Sequence, residues 1–164
     1  MAFVSIIMGS KSDYEIMSEC AKTLEKFGVQ YEILISSAHR SPERTHEYVT
    51  NADERGAVCF ICAAGMAAHL AGVVASLTIK PVIGVPMKGG LMDGLDALLS
   101  TVQMPAGIPV ATVAVGKAGA MNAAMIAAQI VALNDKEVGA KLKLDRAAQA
   151  QKIEDDSSSI EKRL

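Results

Sequence analysis

The residues best able to do chemistry stand together in the run ISSAHRSPERT, residues 35 to 45. His39 carries an imidazole whose ordinary pKa of about 6.5 lets it give and take a proton near neutrality. Arg40 beside it carries a planar fork of N–H donors suited to a phosphate or a carboxylate. Ser37 and Ser41 add hydroxyls, and Pro42 suits the first turn of a helix, which makes Ser37 to Ser41 a short loop. A second cluster is MGSKSD, residues 8 to 13. There Gly9, Ser10 and Ser12 leave backbone N–H groups and hydroxyls free for an anion, phosphate above all. Asp13 is a poor neighbour for phosphate but a good acceptor for sugar hydroxyls, and helix capping by Ser12 or Asp13 accounts for the stretch equally well. It is neither a Walker loop nor a G-x-G-x-x-G fingerprint.

A third cluster is AAGMAAHLAG, residues 63 to 72. Small side chains at Ala63, Ala64, Gly65, Ala67 and Ala68 allow a ligand close to the backbone. His69, placed by its spacing in the first turn of a helix, either points into the site or merely caps and packs. His46 falls within the helix after Pro42 and reads as a solvated residue. No cluster has metal-ligand spacing, no Ser-His-Asp set is ordered, and no lysine is marked out for a Schiff base. These residue types describe a phosphate-and-ribose pocket with a histidine for proton transfer.

Such clusters need elements to hold them. Near-continuous apolar runs occur at residues 3–8, 31–36, 57–63, 81–86 and 109–115. Runs without alternation mark strands covered on both faces. Helical segments are expected between them, over 13–27, 42–55, 66–78, 94–102 and 118–133, with Gly28 stopping the first. This alternation predicts an α/β fold, a three-layer α/β/α sandwich around a five-stranded parallel sheet. Ligands in such folds bind outside the carboxyl ends of the strands, where all three clusters fall. Residues 135–164 read as an extra C-terminal helix with a thin apolar stripe of Val138, Leu142, Ala148 and Ile153. A helix that sparse is expected to dock on a neighbouring subunit.

Composition bounds the function. The 164 residues are expected to form one domain. Hydrophobic residues are 51%, but aromatics are 4% and tryptophan is absent, so Ala, Val, Ile, Leu and nine Met must build the core. A net charge of −2 without a basic block argues against nucleic acid or an anionic membrane as partner. The chain enters a strand without the basic flank of a secretory signal. Its longest apolar stretch, Ala118 to Leu133, is interrupted by Asn122 and Gln129 and is too short to span a bilayer. Three cysteines fit a reducing cytoplasm. Cys59 and Cys62 form a C-x-x-C, but positions i and i+3 of a strand face opposite ways, so they read as core residues rather than a metal or redox pair.

Together, MGSKSD, SAHRSPER, AAGMAAHLAG, GVPM and DGLDALLSTVQMPAGIPVATVAVGKAGAMNAA resemble one family from about residue 3 to about residue 135. It is the class I carboxyaminoimidazole ribonucleotide mutases of bacterial purine biosynthesis (PurE). The resemblance implies a flavodoxin-like (Rossmann-like) sandwich assembled as a cytoplasmic homo-octamer. It implies transfer of a carboxyl group from the exocyclic amine of an aminoimidazole ribotide to a ring carbon, without ATP, metal, biotin or other cofactor. His39 matches the family's acid/base histidine, and Ser10, Asp13 and Arg40 match substrate-binding positions. His69 falls on the second active-site histidine, and the resemblance extends the substrate site to Ser12, Ser37, Ala64, Gly65 and Leu70. It leaves room for a transient handover of substrate from the synthetase that makes it, and it makes Ser37 to Pro42 a lid.

The chain departs from the family's usual GAGGAAHLPG at Ala63 and Met66, both for glycine, and at Ala71, for proline. Ala63 is expected to narrow backbone approach, and Met66 to add bulk beside a carbon dioxide pocket. Two other functions remain in view. The class II relatives carboxylate the bare ribotide directly, but typically carry a lysine after the loop histidine, where this chain has Arg40. A flavodoxin-like nucleotide-binding module would show flavin absorbance.

Overall fold

In the computed structural model, which describes residues 2–162, five strands form one sheet in the order β2-β1-β3-β4-β5, all pairs parallel. Met1, Arg163 and Leu164, the ends of the domain expected over 1–164, lie outside the described residues. The strands are β1 (Phe3–Met8), β2 (Tyr31–Ile35), β3 (Ala57–Ala64), β4 (Val82–Pro86) and β5 (Ala111–Thr112). The helices are α1 (Tyr14–Phe27), α2 (Pro42–Arg55), α3 (Leu70–Ala75), α4 (Leu95–Val102), α5 (Lys117–Ala132) and α6 (Lys136–Ile160).

Side chains leave a strand alternately up and down, so one strand feeds two cores. Val4, Ile6 and Met8 pack with Cys59, Ile61 and Ala63 under α1 and α5. Phe3 and Ile7 pack with Phe60 and Cys62 under α2 and α3. The two cysteines of the C-x-x-C therefore lie on opposite faces of the sheet, as their spacing required. The alanines of α5 explain a core almost without aromatics. Ala120, Ala123, Ala124, Ala127 and Ala128 are fully buried and bring that helix close to its neighbours. Gly119 tightens the approach further, since a Cβ there would lie 1.6 Å from the Ala114 carbonyl oxygen. Gly28 ends α1 at φ 74°, the left-handed conformation a glycine tolerates best.

Two expectations are corrected. The fifth strand is two residues long rather than seven. Pro109 has no N–H to give the ladder, and Ala111 is exposed, so this is a short edge strand and not one covered on both faces. The helix expected from Met66 begins only at Leu70. Met66 takes φ +52°, which no α-helix accommodates, and Ala68 and His69 donate back to Met66 and Ala67 in tight turns.

In α6, Val138 is buried and Leu142 packs against the core, but Ile153, Leu144 and Ile160 are mostly exposed. Among the described residues no helix is long and apolar enough to cross a membrane.

Burial pushes the Cys20 and Cys59 thiols up to about 12, and that of Cys62 higher still. A thiol attacks as its thiolate, so all three should be silent toward DTNB in the native protein and react together on denaturation. Rapid reaction of any one before unfolding would place it at the surface.

Candidate active site

Every residue picked out from the sequence as catalytic or substrate-binding lines one cavity of about 570 Å³ at the carboxyl ends of β1 to β4. Ser10, Ser12 and Asp13 come from the turn after β1, and Ser37, His39 and Arg40 from the loop after β2. Ala64, Gly65, His69 and Leu70 come from the segment after β3. The cavity also takes Met66, Ala67, and Met87 to Gly90 after β4. Sequence reasoning left those last residues unassigned, although GVPM already sat at a strand's carboxyl end. A cleft of equal volume between α1, α5 and α6 contains no histidine, and its Lys26 and Asp145 pair with each other.

The turn after β1 is held by its own polar groups. Ser10 caps a single 3₁₀ turn over Lys11–Asp13, and its backbone N–H donates to Asp13 Oδ2 at 3.1 Å. The Ser12 hydroxyl donates to Ser10 Oγ at 3.0 Å. The cap is therefore Ser10 rather than the Ser12 or Asp13 expected, and Asp13 closes the capping box without making a side-chain capping bond to α1. Asp13 is buried, and that burial raises its pKa; the Ser10 N–H, the Ser12 hydroxyl and the Arg40 charge pull the other way.

The loop after β2 is built from hydroxyls. Ser41 N–H donates to the Ser37 carbonyl at 2.9 Å, and Ser37 N–H donates to Ser41 Oγ at 3.0 Å. Arg40 N–H donates to Ser37 Oγ at 3.1 Å, so the Ser37 hydroxyl accepts from its own loop and keeps its proton for a ligand. The Arg40 guanidinium donates from Nη2 to the Gly9 carbonyl at 3.0 Å, which ties the β2 loop to the β1 turn. Most of its N–H groups remain for an anion. His46 is exposed on α2, away from this cavity.

His39 and His69, thirty positions apart, meet edge to face. His39 Nε2 and His69 Nδ1 lie 2.8 Å apart, with ring centroids at 4.9 Å. One proton lies between them, so the donor ring fixes the tautomer of both. His69 stands just before α3 and makes no capping bond. Of the two roles left open for it, facing the site is the observed one. Ala63, by contrast, is fully buried among core side chains and does not narrow the cavity. Ala71 likewise packs in the core on the α2 and α3 face.

The AIR carboxylase family model matches residues 3–152. This chain belongs to that family. A curated N5-carboxyaminoimidazole ribonucleotide mutase of Pyrococcus horikoshii is 52% identical over 158 residues, 96% of this chain and 88% of that one. The mutase of the same name from Vibrio cholerae is 48% identical, over 96% of this chain and 98% of its own. Among solved structures, Treponema denticola PurE superposes with a TM-score of 0.89 at 32% identity, over 99% of this chain and 100% of that one. As a member of the AIR carboxylase family, the chain has the α/β/α architecture its strand pattern predicted.

Asp13 has a testable signature. Its raised pKa means the folded chain holds the proton more tightly than the unfolded one, so the stability tied to this group is present at acid pH and is lost as pH rises through the folded value. Relative to an Asp13→Asn variant, the parent should gain thermal stability on acidification from about pH 7 to about pH 4, near the ordinary aspartate value. A parent that loses ground to the variant over that range would reverse the assignment.

Proposed function

We propose that this chain is an N5-carboxyaminoimidazole ribonucleotide mutase acting in purine biosynthesis. The observation that carries the reading is the His39–His69 pair in the one cavity that the Ser10–Asp13 turn and Arg40 also line. The relatives of that name, about half identical over nearly the whole chain, support it. The ribotide's phosphate and ribose fit the Ser10–Asp13 turn, Ser37 and Arg40. Its carboxylated amine then reaches the histidines above Ala64, Gly65 and Leu70.

The N-carboxylate is a carbamate, and its N–C bond breaks with the electron pair going to nitrogen. His39 supplies the proton that nitrogen takes up, leaving the bare ribotide and carbon dioxide. The electron-rich ring carbon then forms a C–C bond to carbon dioxide, and its proton returns to His39. One proton is given and one recovered, so the conversion is an isomerisation. Holding carbon dioxide beside the ring replaces a bimolecular encounter with a positioned one.

His39→Asn keeps size and hydrogen bonding but removes the proton shuttle. Turnover should fall by about 10²–10⁴, while ribotide affinity changes little. The assay offers either the N-carboxylated ribotide, or the bare ribotide with bicarbonate. Preference for the second substrate would favour direct carboxylation, and near-parental turnover by His39→Asn would move the proton transfer to His69.

The assembly proposed is a cytoplasmic homo-octamer, with three buried thiols suited to a reducing compartment. Leu144, Ile153 and Ile160 are bare in the single chain, and a 25-residue helix reaches about 37 Å, well past its contacts with α1 and α5. A neighbouring subunit would cover that far half, and a synthetase that makes the substrate could hand it over at the open cavity. A chain ending after Gln149 keeps Val138, Leu144 and the Asp145–Lys26 pair but loses Ile153 and Ile160. Light scattering should find it smaller than the full chain; a monodisperse full-length monomer would remove the octamer.

A further inference from the structure

We propose that Met66 is a water-excluding residue of the carboxyl transfer, covering carbon dioxide in the apolar half of the cavity. The inference rests on the mutase reading above and adds a specific residue to it.

Met66 holds φ +52°, where a side chain is disfavoured and glycine is at ease. The Met66 carbonyl accepts from Ala68 N–H at 2.9 Å and from the Ser100 hydroxyl at 3.4 Å, but its side chain finds no comparable return. The residue is 67% exposed in the single chain, so core packing does not return what its backbone gives up. It lies outside α3, and its thioether is at best a weak acceptor. An unfavourable conformation kept at a site wall points to use rather than to stability.

The cavity has two unlike halves. The ends of β1 and β2 supply hydroxyls, a carboxylate and a guanidinium, while the ends of β3 and β4 supply small or apolar groups from Ala64, Gly65, Met66, Ala67, Leu70 and the buried Met87, with His69 and the exposed Lys88 as the polar members on that side. Carbon dioxide has neither charge nor net dipole and fits the second half. Once the carbamate N–C bond has broken, its fate is a competition between bond formation at the ring carbon and escape to water. Escape leaves bare ribotide and bicarbonate. A flexible apolar side chain at the mouth slows that loss, and a glycine at the same position leaves the mouth open.

The test uses Met66→Gly and Met66→Leu in the full-length protein, supplied with N-carboxylated ribotide in ¹³C-bicarbonate buffer. The Met66→Gly variant should release severalfold more bare ribotide per product than the parent, above the enzyme-free background. It should also draw more ¹³C into the product. Its Tm should not fall, because glycine accepts φ +52°. Met66→Leu, apolar and of similar size, should keep the parental partition. A Met66→Gly variant with parental partition and label uptake overturns the inference, as does one whose Tm and ribotide affinity collapse together, since Met66 would then be structural. The parent is the control: if it forms no product, the mutase reading fails and takes this inference with it. A converting parent with a non-leaking Met66→Gly variant removes this inference alone.

Discussion

The site depends on how the parallel ladder ends. Beyond the last paired residues the backbone makes one more set of cross-strand bonds. Gly9 N–H donates to the Ala63 carbonyl, Ser36 to Met8, Met87 to Ala64 and Gly116 to Pro86, all between 2.9 and 3.0 Å. These bonds fix where each chain leaves the sheet, and so where each loop starts. The turn after β1, the loop after β2 and the segment after β3 leave neighbouring strands about 4.8 Å apart, within reach of one small ligand. Net, each such bond is worth only about 0.5–1.5 kcal/mol, but an unpaired buried amide at the same place would cost about 1–3 kcal/mol. Slipping the register therefore costs about twice what the bonds themselves contribute, and the site inherits that rigidity.

The loop carrying His39 and Arg40 is anchored by a second device, a buried chain of hydroxyls. Ser36 is 1% exposed and Thr45 is fully buried. Their oxygens lie 2.8 Å apart, and Thr45 Oγ1 lies 3.2 Å from the Ser41 carbonyl, which can only accept. Thr45 has one proton, so it donates to Ser41 and Ser36 donates to Thr45. Both polar groups are satisfied, and the first turn of α2 is locked to the end of β2. With Ser37 and Ser41 bonded to each other and Arg40 to Gly9, the loop expected to act as a lid is held in place at both ends. The cost of ordering His39 and Arg40 is then met in folding rather than at binding.

Much of this was legible in the residue pattern. The limits of β1 and of α2 matched, because a near-continuous apolar run and a Pro42-to-Gly56 frame are local signals. The three clusters were located by asking what stands at the carboxyl ends of strands, a rule that needs only the order of elements, and the resemblance to a family extended them as far as Leu70. What the sequence withheld was long-range. The hydrogen bond between His39 and His69 joins residues thirty positions apart, and spacing left the second histidine two roles. The start of α3 was misread because Met66 favours a helix by propensity, whereas surrounding structure holds it at positive φ. The fifth strand was overcounted because valines score alike whether a strand is central or at the edge, and Pro109 alone warned of the edge.

The conflicts between local preference and observed structure gather around the cavity. Asp13 is a carboxyl whose burial opposes its charge, kept beside hydroxyls and near a guanidinium. Met66 is a side chain in a glycine conformation, and His69 gives up a capping bond to face His39. Away from the carboxyl edge, the core shows the opposite habit. Leu24, Phe27, Ile61 and the α5 alanines are fully buried or nearly so, and among the described residues no buried side-chain polar atom lacks a hydrogen-bond partner. A sheet so consistently packed can carry a few residues in unfavourable states at one edge, and here that edge is the one the cavity opens on.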